Sequence, residues 1–90
     1  MVVVRLRAPL RDLAGGKPKL EIDGGTVGEV LSALEREHPR ITGWILDEQG
    51  KVRRHVNVFV NGERTGEEAP LGADDVVQVL PSISGGGGRR

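Results

Sequence analysis

The chain has 90 residues, 37% apolar and 29% charged, with no cysteine and with Lys plus Arg equal to Asp plus Glu at 13 each. That length supports one domain burying somewhat more than ~60% of its unfolded surface, which allows a modest core but no large catalytic cavity. The charge balance removes any overall field toward nucleic acid or an anionic membrane, and the lack of cysteine excludes disulfides, thiolate metal sites and a cysteine nucleophile. No apolar stretch approaches the ~20 residues of a membrane span, and the start lacks the basic, apolar and small-residue order of a signal peptide. The default expectation is a soluble cytoplasmic protein.

Residues 2–7, VVVRLR, alternate: Val2, Val4 and Leu6 face one way, Val3, Arg5 and Arg7 the other, as in a half-buried strand. The stretch Ala8 to Pro18 holds Pro9, Gly15, Gly16 and Pro18 and reads as a turn. Leu20-Glu21-Ile22 then makes a second strand closed by Asp23-Gly24-Gly25, which suggests an opening hairpin.

Thr26-Val27-Gly28-Glu29 has capping-box spacing, with the Thr hydroxyl serving the third helical amide and the Glu carboxylate reaching back to the cap amide. Val27, Val30, Leu31 and Leu34 follow at i, i+3, i+4 and i+7, so one apolar helical face runs from Val27 to about Glu37. Pro39 ends the helix, because the residue before a proline is pushed out of helical geometry. Ile41, Trp44 and Ile45 suggest a short helical turn laying the only Trp across the core edge, before Asp47-Glu48-Gln49-Gly50 turns outward.

From His55 the alternation resumes, with Val56, Val58 and Val60 on one face and His55, Asn57 and Phe59 on the other. Asn61-Gly62 is a tight-turn signal, and a last strand, Val76 to Leu80, follows Ala73-Asp74-Asp75. Strand, strand, helix, irregular segment, strand, turn-rich segment, strand is the order of the β-grasp. The expected class is α+β, a mixed sheet of four to five strands with one main helix on one face. The division is a β-grasp domain over residues 1–84 and a flexible glycine-rich tail over residues 85–90.

Catalysis by the chain itself has little support. His38 and His55 lack metal-site spacing, and they read as a helix-end charge and a strand-face residue. Asp74-Asp75 reads as a turn rather than an acid/base pair. Gly15-Gly16 and Gly24-Gly25 lack the context of a phosphate loop.

The tail is informative in company. The helix start TVGEVLSALEREHP, the strand HVNVFVNGE, the segment ADDVVQVLP and the ending LPSISGG together resemble the MoaD/ThiS family of ubiquitin-like sulfur carriers, over residues 2–86. The resemblance implies a chain that is not an enzyme and needs no cofactor of its own. It implies that Gly85 and Gly86 are the terminal pair and that the Gly86 carboxyl is adenylated by an E1-like adenylyltransferase, which uses ATP, and becomes a thiocarboxylate. That group would donate sulfur to a biosynthetic enzyme of molybdopterin, thiamine or cysteine type. The sequence departs from the family pattern in that Gly87, Gly88, Arg89 and Arg90 follow. A peptide-bonded carbonyl cannot be adenylated, so those residues would first be removed, a task the resemblance assigns to a JAMM-type metalloprotease. Cleavage after Gly88 is the alternative; alignment of LPSISGG with the family ending favours Gly86.

Alternation puts Phe59, Val3 and Leu80 on the sheet face away from the helix, so an exposed aromatic among aliphatics is the expected docking patch for a partner. Arg5, Arg7, Arg53 and Arg54 are placed at its border. Two other readings share the fold: a protein modifier joined to lysine through the tail glycine, and a β-grasp interaction module with an inert tail. Nucleic acid is not an expected partner, since RNA recognition generally uses basic grooves and stacking aromatics.

Overall fold

The computed structural model describes residues 1–8 and 10–81. Five strands form one sheet: β1 (Val2–Leu6), β2 (Lys19–Ile22), β3 (Val56–Val60), β4 (Glu63–Thr65) and β5 (Val76–Pro81), in the order β2-β1-β5-β3-β4. β1 runs antiparallel to β2 and parallel to β5, and β3 runs antiparallel to both β4 and β5. The sheet is therefore mixed, with β5 at its centre.

The alternation in β1 places Val2, Val4 and Leu6 in the core, and Val56, Val58, Val77 and Val79 join them from the central strands. One helix, α2 (Val27–Glu37), covers that face with Val27, Val30, Leu31, Ala33 and Leu34. Thr26 caps it: its Oγ1 accepts from the Glu29 amide at 3.2 Å. The Glu29 carboxylate accepts from Gly25, at 2.8 Å, instead of from the expected cap amide. Thr26 is extended and bridged to Pro70, and this entry path brings the preceding amide to the carboxylate.

Three elements differ from expectation. The first connection contains a single helical turn, α1 (Leu10–Leu13), whose Leu10 is fully buried. The irregular segment opens with a 3₁₀ turn, Pro39–Ile41, because proline suits a first helical turn as well as ending the one before it. The turn-rich segment carries β4, joined to β3 by Asn61-Gly62 with φ of 53° and 89°. Positive φ at both central positions is the two-residue hairpin geometry that matches strand twist, which only Asn and Gly adopt readily.

Candidate functional site

The helix leaves the other sheet face open, and strand register sets what stands there. One row crosses all five strands: Lys19, Arg5, Gln78, Phe59 and Arg64. Beside it lie Glu21, Val3 and Val76 in one row and Leu80 and Asn57 in another. The three residues expected to meet a partner, Phe59, Val3 and Leu80, thus share this face, as the alternation requires. Each is half-buried. Phe59 is less open than expected because Gln78 and Arg64 stand directly across from it on both neighbouring strands.

Among the described residues the exposed aromatic is Trp44, at 43%. It was expected across the core edge; instead Ile41 and Ile45 take the inward positions and Trp44 faces out. Gly43, at φ 86°, makes the turn between them.

Where β5 ends, Arg7, Ala8, Leu80 and Pro81 line a shallow groove of about 330 Å³. Residue 82 onward continues from this point in the sequence. Gly85, Gly86 and the residues after them lie outside the described residues. Of the four arginines placed at the border, Arg5 is on the open face and Arg7 in the groove. Arg53 is drawn away: its amide donates to Ile45 O at 2.9 Å, and its side chain lines a separate cleft with Asp47, Glu48 and Gln49. Arg54 is an exposed turn residue just before β3.

A carboxylate framework not foreseen from sequence holds the segment after the helix. Glu35 is 9% exposed, and its Oε2 accepts from the amides of Ile45 at 3.0 Å and Leu46 at 2.9 Å. Asp47 Oδ1 accepts from Gln49 and Lys51, and Glu67 Oε1 accepts from Val52 at 2.9 Å. The bonds to Asp47 and Glu67 favour their ionised forms. The Lys51 amide holds Asp47 below the usual carboxylate range, and the Val52 amide does the same for Glu67. At the other end of the sheet the Gly72 amide, then the Asn61 side chain, lower Asp75. Asn61 also accepts from Val76, tying the hairpin turn to the start of β5.

Among the described residues no group of three His, Cys, Asp or Glu side chains is placed to hold a metal ion, and no helix is long and apolar enough to cross a membrane. His38 caps the C-terminus of α2, its amide donating to Leu34 O.

The model of the ThiS family matches residues 4–86. This chain belongs to that family. Among ThiS-family relatives, it is 33% identical over 84 residues to Small archaeal modifier protein 1 of Haloferax volcanii, across 91% of this chain and 97% of that protein. It is 33% identical over 91 residues to Sulfur carrier protein CysO of Mycobacterium tuberculosis, across 94% and 98% respectively. A chain in the Amycolatopsis orientalis BexX/CysO complex superposes with a TM-score of 0.84 at 33% identity, covering 96% of this chain and all of that one (100%). The ubiquitin-like β-grasp expected from element order is the fold of this ThiS-family chain, and its relatives include both named sulfur carriers and named modifiers.

Proposed function

We propose that this chain is a sulfur carrier and not itself an enzyme. The family match runs through residue 86, so that Gly85-Gly86 stand at the end of the shared pattern, five residues beyond the last residue of the central strand; this is the observation that carries the reading. Glycine leaves the carbonyl open to attack and lets the backbone enter a narrow channel. Removal of the residues after Gly86, by a metalloprotease of JAMM type, frees its carboxylate. An E1-like adenylyltransferase then joins that carboxylate to AMP, releasing pyrophosphate, and a sulfur donor displaces AMP to leave the thiocarboxylate. A biosynthetic enzyme takes the sulfur. Because activation consumes ATP, the carrier would work in the cytoplasm.

In this reading the domain presents the tail and docks the partner enzymes through Phe59, Val3 and Leu80, while the partners perform the chemistry. The match to a chain from a BexX/CysO complex supports a carrier that works in complex with another protein. Intact mass of the protein from its native cells tests this. A form ending at Gly86, with a fraction heavier by the difference between sulfur and oxygen, is expected. A full-length, sulfur-free protein that supports sulfur transfer equally well without residues 85–90 would refute it.

The 33% identity to a modifier protein favours a second reading, in which the activated glycine forms an isopeptide bond to lysine. Conjugates that persist on a denaturing reducing gel would favour it; a labile thiocarboxylate alone would not.

A further inference from the structure

We propose that the open sheet face is built to recognise an acidic protein surface that also carries apolar groups. This rests on the reading that the face docks partner enzymes, and it adds the chemistry of what docks. Although the chain carries no net charge, the face does not share that balance. Arg5, Lys19 and Arg64 stand in one cross-strand row with Gln78 and Phe59, and Arg7 lines the groove beside Leu80. Against these four cations the strand positions of the face offer one anion, Glu21, opposite Val3.

The row spans four inter-strand steps, ~19 Å at about 4.8 Å each. Among the described residues the one ion pair is Arg11 with Asp12, outside the sheet, so no carboxylate there neutralises the row. Asp75, the residue before β5, is occupied by Gly72 and Asn61. Phe59 stands within the row, Leu80 between the row and Arg7, and Val3 and Val76 on its other side, all half-buried. Half-buried apolar side chains crossed by a row of unpaired cations complement a surface that carries carboxylates beside apolar groups. A polyphosphate would satisfy the cations but waste the apolar side chains, which offer a single aromatic ring for stacking. The predicted partner is therefore protein.

Two probes decide it: a synthetic peptide alternating glutamate with leucine, and a single-stranded DNA oligonucleotide of equal charge, each titrated into isotope-labelled protein and followed by amide NMR. The peptide is expected to shift the amides of Val3, Arg5, Phe59, Gln78 and Leu80. The double variant R5E/R64E should weaken it by about tenfold or more, and raising salt from about 0.05 to about 0.5 M should do the same. The control pair R36E/R40E, at the end of α2 and in the 3₁₀ turn, should leave affinity unchanged. Absence of shifts, shifts confined to residues 40–54, or less than about a twofold change in R5E/R64E would overturn the proposal. Equal displacement of the same amides by DNA would also overturn it, assigning the face to phosphates. The peptide is not the activating enzyme, so the proposed glycine chemistry and the acidic-partner proposal stand or fall separately.

Discussion

Replacing Glu35 by alanine should be among the costliest single changes outside the apolar core. Its carboxylate is nearly enclosed and accepts from two buried amides, Ile45 at 3.0 Å and Leu46 at 2.9 Å. Hydrogen bonds to a charged group contribute about 1.5–3 kcal/mol each, and a buried donor left without an acceptor costs a similar amount. Allowing for water entering the emptied space, the expected loss is about 3 kcal/mol, a large share of the ~5–15 kcal/mol that holds a domain together. For a domain of this size that corresponds to a fall in Tm of about 12–24 °C. Glu35→Gln keeps one acceptor oxygen and should lose about 1 kcal/mol.

Urea unfolding followed by far-UV dichroism and by Trp44 fluorescence measures both variants, and Trp44, the sole tryptophan, sits next to Ile45. The midpoint should drop with an unchanged m value. In native-state hydrogen exchange the amides of Ile45 and Leu46 should lose protection first. An alanine variant within about 0.5 kcal/mol of the parent, or a glutamine variant as unstable as the alanine one, would refute the assignment of Glu35 as the anchor of this segment.

Gly24→Ala should destabilise by about 1–3 kcal/mol, since a Cβ there would meet Val30 Cγ2 at 2.7 Å and Val30 N at 3.0 Å; thermal unfolding reads it directly. Phe59→Ala should preserve the fold while slowing activation about tenfold in an ATP–pyrophosphate exchange assay; unfolding instead would show that the ring belongs to the core. Asp47, Glu67 and Asp75 are each held below their ordinary pKa in the folded state, so the unfolded chain binds more protons in the window between the two values. Their contribution is present above the ordinary carboxylate range and disappears as pH falls through the lowered values. Glu67→Gln and Asp75→Asn should each flatten the acid limb of a stability-versus-pH curve, and an unchanged limb in both would contradict the sign.

Where one residue pattern dominates, the sequence was sufficient. The four apolar positions from Val27 to Leu34 with the Thr26 cap marked α2 to its observed ends, and alternation in β1, β3 and β5 fixed which residues share the open face. β4 was missed because three residues, Glu63-Arg64-Thr65, carry no apolar alternation and owe their pairing to the Asn61-Gly62 turn. Glu35 sits four positions after Leu31, beside the apolar stripe, where a charge ordinarily reaches solvent. What buries it is the path of residues 42–46, a tertiary outcome with no local signature. The same path turned Trp44 outward, since hydrophobicity alone cannot choose among three apolar residues in one turn when space exists for two.

The central position of β5 has a consequence for when the protein can act. Its neighbours are β1, encoded at the start of the chain, and β3, so neither half of the sheet is joined to the other until residue 81 has been synthesised. Pairing of such distant segments is entropically late in folding. The glycine-bearing stretch follows at once in sequence, and the proposed docking row draws residues from every strand. A partner that grips the row while taking up the tail would therefore engage only completely folded copies, and nascent or damaged chains would be spared activation without any separate inspection step.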